Sequence, residues 1–562
     1  MEKIWLNSYP AGVPAEIDVN AYASLVDFLE DCVRQYGQRT AFVCMGKGIS
    51  YAELDHLSRD FAAYLQVVLG LQKGARLMLM MPNCLQYPVC LFGALRAGCT
   101  VVNCNPMYTP PELAHQLKDS GAEVIVILEN FAHVLQKVIA STPVEHVLTT
   151  QLGDLLGTVK GGLTNFVIKH VKKMIPAWSL PMAQSLPVAL CLGTEKRGDK
   201  RCGKVPLTHS DIAFLQYTGG TTGVAKGAML TQRNMVANLL QAKSWIAPGL
   251  GAEPQLIITA LPLYHVFALT ANCLTFMALG ATNVLITDPR DIPGFIKVLA
   301  KYKFTALTGV NTLFNALLNH ADFARLDFSH LRIALGGGMA VQRAVAERWK
   351  QVTGKTLIEA YGLTETSPAV AINPIDLDGF NGAIGLPLPS TDIAIRDEAG
   401  HDVPLGEAGE LCVSGPQVMA GYWQRPEETA KVMMADGFLR TGDMATMDIK
   451  GFLRIVDRKK DLIDVSGFKV YPNEVEDVLA MHPGVLEVAV IGVPDERSGE
   501  AVKAFVVRRD AALTAHDLIA HCRKSLVAYK VPRQIEFRNE LPKSNVGKIL
   551  RRALKDEAAA SH

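Results

Sequence analysis

Short, fully apolar runs alternate with longer stretches of helical spacing through the first two-thirds of the chain. Arg76-Leu-Met-Leu-Met-Met81 and Val124-Ile-Val-Ile-Leu128 read as strands buried on both faces, and Ala23-Ser-Leu-Val-Asp-Phe-Leu-Glu-Asp-Cys-Val33 has the three-and-four spacing of a helix. Such alternation predicts parallel α/β sheets over about 20–200 and 205–380. From about 385 to 455 the texture changes: Asp392-Ile-Ala-Ile395 and Gly409-Glu-Leu-Cys-Val413 lie between Gly/Pro turns, which predicts a small β-rich subdomain. After the polar cluster Asp457-Arg-Lys-Lys-Asp461, a helical stretch (Glu474 to Met481) precedes strand candidates at Val485 to Val493 and Ala501 to Val507. The predicted fold class is α/β. A large N-terminal domain (1–456) holds two α/β subdomains and the β-rich one; a hinge (457–461) joins it to a small, mobile α+β domain (462–562).

Two stretches depart from this alternation. Pro254 to Thr287 contains no Asp, Glu, Lys or Arg, which is long enough to cross a bilayer. Pro262, His265, Asn272, Gly280 and Asn283 divide it, so it reads instead as a buried strand–helix–strand unit: Leu256 to Ala260, Ala268 to Leu279 and Val284 to Thr287. Phe166-Val-Ile-Lys-His-Val-Lys-Lys-Met-Ile-Pro-Ala-Trp178 places Phe166, Val167, Val171 and Met174 on one helical face and Lys169, Lys172 and Lys173 away from it. That pattern suits either a surface helix packed on its own domain or one lying on an anionic membrane. The basic segment Lys196 to Lys204 that follows lacks the hydroxyl and the leading strand of a Walker A loop.

Charge and cysteine usage narrow the function. A net charge of +1 argues against a nucleic-acid partner. Eleven cysteines without a C-x-x-C pair fit reduced thiols and show no zinc pattern. The start carries Glu2, Lys3, Glu16 and Asp18 with no apolar core, which predicts no secretion signal and a cytoplasmic protein.

The stretch richest in chemistry is Tyr217-Thr-Gly-Gly-Thr-Thr-Gly-Val-Ala-Lys-Gly-Ala-Met-Leu-Thr231, entered from the strand candidate Ile212 to Tyr217. Glycines at Gly219, Gly220 and Gly223 let backbone N–H groups approach a ligand; Thr218, Thr221 and Thr222 add hydroxyl donors, and Lys226 a positive charge. That set suits the phosphates of a nucleotide.

This loop closely resembles the phosphate-binding motif of the adenylate-forming enzymes, the acyl-CoA synthetases with their luciferase and peptide-synthetase relatives. Four further blocks stand in that family's order: Leu261-Pro-Leu-Tyr-His265, Tyr361-Gly-Leu-Thr-Glu365, Arg440-Thr-Gly-Asp443 and Leu541-Pro-Lys-Ser-Asn-Val-Gly-Lys548. The block from Asp436 to Lys460 is similar to that of fatty acyl-CoA synthetases, and Ile4 to Pro10 to the start of bacterial long-chain fatty acid–CoA ligases. The resemblance implies ATP and coenzyme A as co-substrates, Mg²⁺ as cofactor, and a long-chain fatty acid as the acid, with a medium-chain or aryl acid as the alternative. Thr364 would contact the α-phosphate and Glu365 would hold Mg²⁺. Tyr361 and Gly362, with Gly336, Gly337 and Gly338, would take adenine, and Asp443 and Arg458 the ribose. Lys548 would reach in from the C-terminal domain to bridge carboxylate and phosphate, with Lys460 as the hinge. Gly467 and Lys469 would line the coenzyme A path. Tyr264, Phe267 and Val310 would line the acyl pocket, and His265 is either a site residue or a bonded core histidine. Departures are few: Phe438 and Arg440 stand where Trp and His are common, and Gln232 where His is. The basic segment Phe166 to Trp178 also allows peripheral contact with the anionic inner membrane, and the sequence leaves a homodimer open.

Overall fold

The computed structural model describes residues 2–218, 225–251, 253–495 and 497–560. Its strands form four sheets. A seven-stranded sheet runs Ala183–Ser185, His146–Thr150, Val124–Leu128, Arg76–Met80, Thr100–Cys104, Ile212–Thr218 and Lys226–Thr231 across, parallel except for the last pair. A nine-stranded sheet has a parallel centre, with Leu256–Thr259, Thr282–Leu285, Ala306–Gly309, Ile333–Gly336 and Leu357–Gly362 among its members.

Alternating side chains explain why both sheets are covered on two faces. Leu77 and Leu79 enter the large core between the sheets, while Met78 and Met80 enter a second core on the far side. In the nine-stranded sheet Ile257 joins the shared core and Ile258 the opposite one. Every position of such a strand is therefore apolar, the pattern legible in the sequence.

The division at 20–200 and 205–380 needs correction. Strands Thr40–Cys44 and Lys47–Ser50 belong to the nine-stranded sheet, with Thr40–Cys44 parallel to Thr282–Leu285. Conversely, Ile212–Thr218 and Lys226–Thr231 close the seven-stranded sheet. Strand pairing is set by contacts distant in sequence, which local pattern does not encode.

The uncharged stretch is a buried unit, with Leu256–Thr259, helical segments Ala268–Leu274 and Thr275–Met277, then Thr282–Leu285. Among the described residues, no helix is long and apolar enough to cross a membrane. A four-stranded antiparallel sheet follows, made of Asp392–Arg396, Gly409–Ser414, Leu439–Met447 and Leu453–Arg458. The chain then turns through 459–461 into the last sheet, whose centre is the long hairpin Val485–Asp495 and Gly499–Arg508. Helices Pro472–Ala480 and Ala515–Cys522 contribute to the core on one face of that sheet, and Arg551–Ala560 to the core on the other.

Candidate active site

Thr218 and Lys226 stand opposite each other in an antiparallel register, at the root of the predicted phosphate loop. Gly219, Gly220, Thr221, Thr222 and Gly223 lie outside the described residues. Lys226 pairs with Glu428 and stands 5.3 Å over the ring of Tyr422. Tyr422 in turn donates to Glu365 Oε1 at 2.7 Å. Bonds from Lys226 and Lys431 hold the Glu428 carboxyl down to about 2, so it remains an anion competing for Lys226 until a stronger one arrives.

Thr364 and Glu365 sit on the short turn Thr364–Thr366 just past strand Leu357–Gly362. Close packing makes this turn intolerant of a side chain at Gly362, where a Cβ would stand 2.0 Å from the Pro368 carbonyl oxygen. The Met419 N–H donates to the Glu365 carbonyl at 2.8 Å, which ties the turn to the segment carrying Tyr422. Glu365 lines a polar cleft of about 330 Å³ together with Glu410, Arg440 and Lys459. One carboxylate at the edge of a phosphate site matches the donor set of magnesium, which takes one or two carboxylates, phosphate oxygens and water. The described residues hold no group of three or more His, Cys, Asp or Glu that could bind a metal without such phosphates.

Tyr361 donates to Asp443 Oδ2 at 2.5 Å, and Arg458 Nε lies 3.2 Å from Asp443 Oδ1. These three predicted nucleotide residues therefore form one cluster between the nine-stranded and four-stranded sheets. Gly336, Gly337 and Gly338 lead out of strand Ile333–Gly336, parallel to the Tyr361 strand. A Cβ on Gly337 would come within 3.0 Å of the Phe267 ring, so the nucleotide glycines and the predicted acyl pocket share a wall. Val310, buried at the head of helix Asn311–Leu318, lies 3.7 Å from where a Gly338 Cβ would be.

Lys548 joins this cluster from the last sheet. Its loop is docked by the Thr312 hydroxyl, which donates to the Gly547 carbonyl at 2.8 Å. Gly547 has φ +85, and a Cβ there would stand 2.9 Å from Thr312 Oγ1. Burial, then the positive charge of Arg458, pulls the Lys548 ammonium down to about 8, with Asp443 acting against them. The imidazole of His265 is pulled down to about 4 by burial and then by Lys548. Its Nδ1 accepts the Phe267 N–H at 3.3 Å, leaving the Nε2 proton for a ligand. The Leu261-to-His265 turn is anchored to the other sheet: Asn83 accepts from Leu263 N at 2.8 Å, and Gln216 donates to the Tyr264 carbonyl at 2.8 Å. Gln216 lies two residues before Thr218, so one strand positions both the phosphate loop and the predicted acyl pocket.

Family models match in two places: the AMP-binding enzyme model over residues 29–423, and the AMP-binding enzyme C-terminal domain model over 474–548. The chain belongs to the AMP-binding enzyme family. Over 557 residues it is 60% identical to a long-chain-fatty-acid–CoA ligase of Yersinia pestis, covering 99% of this chain and 98% of that protein. It is 59% identical to a protein of the same name from Escherichia coli, covering 99% of each chain. Among solved structures, the anthranilate CoA ligase AuaEII in complex with anthranoyl-AMP superimposes with a TM-score of 0.85 at 24% identity, over 97% of this chain and 99% of that one, a likeness of fold. The α/β class, with a large N-terminal and a small C-terminal part, is thus the fold of this AMP-binding enzyme.

Not all predicted residues of the AMP-binding enzyme come together. Gly467 (φ +86) and Lys469 lie on the hairpin Ile463–Val465 and Phe468–Val470, where the Gly467 N–H donates to Asp464 and Lys469 pairs with it at 2.7 Å. Lys469 is exposed, and neither residue shares a hydrogen-bond or ion-pair partner with the Lys548 cluster among the described residues. Lys460 lies in the turn at 459–461.

Other residues escaped the sequence reading. Tyr422 and Glu428 engage Glu365 and Lys226, yet an isolated Tyr and Glu carry no spacing signal. Glu359 offered one, being a charged residue within the apolar strand Leu357-Ile-Glu-Ala-Tyr361. Its buried carboxyl accepts the Val341 N–H at 3.0 Å and is pushed up to about 8 by desolvation.

The histidine gives a pH prediction. An unfolded imidazole titrates near 6.5 and the folded His265 near 4, so between these values the unfolded chain binds the extra proton. Stability contributed by His265 is present above about pH 6.5 and is lost as pH falls through about 4. Denaturant unfolding of wild type and His265→Gln should diverge less at pH 5 than at pH 7. An unchanged difference would place His265 in contact with solvent.

Proposed function

We infer that this AMP-binding enzyme activates long-chain fatty acids to fatty acyl-CoA with ATP, through an acyl-adenylate, releasing AMP and pyrophosphate. The single observation that carries the reading is Lys548, held by Gly547 and Thr312 beside His265, Asp443 and Arg458. The names of the relatives at about 60% identity support the long-chain class over the medium-chain or aryl alternative.

A carboxylate is a poor acylating agent because its leaving group would be oxide. Attack of its oxygen on the α-phosphorus of ATP forms the acyl–phosphate bond and breaks the bond to pyrophosphate. Both reactants are anionic, so positive charge must already stand in place. Lys226, exchanging Glu428 for phosphate oxygens, takes the pyrophosphate end together with Thr218 and the glycine loop. Thr364 meets the α-phosphate, and Glu365 would hold Mg²⁺. Bound there, the ion would supply neutralisation of the phosphate charge. Asp443 and Arg458 hold the ribose while Tyr361 packs on adenine. Lys548 lies between the carboxylate and the α-phosphate, and these anions drive its ammonium back to full protonation.

In the second step the coenzyme A thiol, deprotonated, attacks the acyl carbon and AMP leaves. Withdrawal of the C-terminal domain about Lys460 would clear Lys548 from the site and bring the Gly467–Lys469 hairpin to the thiol's path. Each closed arrangement keeps water from the mixed anhydride. The acyl chain lies against Tyr264, Phe267 and Val310, with His265 at its carboxylate end. Each buried CH₂ contributes about 0.8 kcal/mol, so a deep pocket favours long acids steeply.

The test is AMP and thioester formation from ATP, Mg²⁺ and coenzyme A across saturated acids from acetate to stearate. AMP and thioester should rise together with the long acids. Activity confined to short or aryl acids would overturn the substrate class, and release of ADP and phosphate would overturn the reaction.

The same proposal includes peripheral contact with the inner membrane from the cytoplasmic side. What supports it is the segment from Thr158 to Met182, where Val159, Leu163, Phe166, Val171, Met174 and Met182 are all more than half exposed. Lys160, Lys169, Lys172 and Lys173 are exposed beside them, with no acidic residue between Asp154 and Glu195. Most apolar side chains of this segment therefore face outward, Val167 and Ile168 being half-buried, and a basic rim suits anionic lipid. At about 1 kcal/mol per basic residue near a charged surface, replacing Lys169, Lys172 and Lys173 by Gln should weaken binding to phosphatidylglycerol-containing vesicles roughly a hundredfold. Unchanged sedimentation with such vesicles would refute this surface. A homodimer also remains part of the proposal, to be read from sedimentation equilibrium.

A further inference from the structure

One largely buried guanidinium straddles the point where the chain leaves the four-stranded sheet. Arg551 opens the helix that follows the Lys548 loop. Its Nε donates to Glu476 Oε1 at 3.0 Å, and Nη2 donates to Glu476 Oε2 at 2.7 Å and Asn473 Oδ1 at 2.5 Å. These partners belong to helix Pro472–Ala480, on the same side of the crossing. The remaining nitrogen reaches across: Nη1 donates to Asp457 Oδ1 at 3.1 Å.

Asp457 lies in strand Leu453–Arg458 of the four-stranded sheet, and its side chain is fully buried. Its Oδ2 accepts the Asn473 N–H at 2.8 Å, a second bond across the crossing. Asp461, in the crossing turn, stands 3.8 Å from Arg551 Nη1 and 3.4 Å from Lys555 Nζ. Three carboxylates thus surround Arg551, and the one from the N-terminal side, Asp457, is fully buried.

Strand alternation adds the functional link. Neighbours in a strand face opposite ways, and Arg458, next to Asp457, turns to Asp443 in the nucleotide cluster. One dipeptide therefore holds the ribose site with one side chain and the C-terminal unit with the other. Arg551 is three residues from Lys548. The Lys548 loop is thus held at two points, by Gly547 on Thr312 and by Arg551 on Asp457.

We propose that Arg551 and Asp457 are positioning residues: their buried pair holds Lys548 in the orientation that forms the adenylate, and it must part for the thioester step. This rests on the two-step reading above. A buried carboxylate is released only when its partner leaves as a whole, so the contact has two discrete states rather than a graded one. Asp457 and Arg551 touch no substrate; they act through Lys548.

The two half-reactions separate this role from general support of the fold. ATP–pyrophosphate exchange with palmitate reads adenylate formation, and supplied palmitoyl-adenylate with coenzyme A reads thioester formation. Arg551→Met should lower the first by roughly 5–150-fold, the range of a coupling between two states, and leave the second unchanged or faster. Asp457→Asn, of nearly the same shape, should shift both in the same directions by less, and Arg551→Lys should recover part of the exchange. Equal loss in both half-reactions, or full exchange activity in both Arg551→Met and Asp457→Asn, would overturn the proposal. Failure of the parent reading would show differently, as wild-type enzyme that gives no palmitate-dependent exchange at all.

Discussion

Lys548→Ala should lower adenylate formation by roughly 10²–10³-fold, the loss that follows removal of one preorganised charge donor from a water-poor site. Thioester formation from supplied acyl-adenylate should stay within a few-fold of wild type. The separation follows from where the lysine sits. The lysine is carried by a Gly-containing loop of the C-terminal unit, and in the proposed second step withdrawal of that unit takes the loop away from the adenylate. Its ammonium is pulled down to about 8 by burial and by Arg458, so without substrate the docked loop already strains against its own charge. A solvated lysine titrates near 10.4, and the docked form is therefore favoured as pH rises from about 8 towards that value. Substrate phosphates reverse the balance by supplying the missing anions. Pyrophosphate exchange and single-turnover thioester formation measure the two steps, and equal losses in both would remove the assigned role.

Glu365→Gln should cut adenylate formation by a comparable factor, roughly 10²–10³-fold, with little change in stability. Glutamine keeps an oxygen to accept the Tyr422 hydroxyl, which reaches Glu365 Oε1 at 2.7 Å, so packing of the turn is preserved. What it loses is the charge that would attract Mg²⁺. The Mg²⁺ concentration for half-maximal rate should rise with the loss of rate. Tyr422→Phe removes the bond and leaves the charge, and its effect should be smaller. Thermal unfolding of all three proteins checks that the fold is intact; an unshifted Mg²⁺ dependence in Glu365→Gln would put the ion elsewhere.

Strand candidates at Val124 to Leu128, Asp392 to Ile395 and Gly409 to Val413 match strands of the structure, whose inner positions are buried on both faces and therefore mostly apolar. Pro262, His265, Asn272, Gly280 and Asn283 divide the uncharged stretch, which makes it legible as a strand–helix–strand unit and not a membrane span. Asn272 and Asn283 do meet Thr308 and Thr259, each at 2.9 Å. Only the start of the segment Phe166 to Trp178 is helical: the helix runs from Thr158 to Val171 and ends before Lys172, Lys173 and Met174, so its periodicity predicted neither the bounds nor the free surface. Periodicity records which residues share a face and leaves open what that face meets.

The chain by itself determined which groups were available: a glycine- and threonine-rich loop with Lys226, a Thr364–Glu365 pair, Asp443, and a lysine in a glycine loop near the end. Local sequence also determined the elements that carry them, since helix and strand periodicity arise from backbone geometry acting over a few residues. Only the tertiary structure decided that strands at Thr40–Cys44 and Ile212–Thr218 exchange between the two predicted halves. It alone brought Tyr422 and Glu428 to Glu365 and Lys226, and set Arg551 against Asp457, 94 residues away. Those pairings depend on how buried faces and buried charges are matched once the sheets pack. That free energy is summed over contacts between distant residues, and no window of sequence contains it.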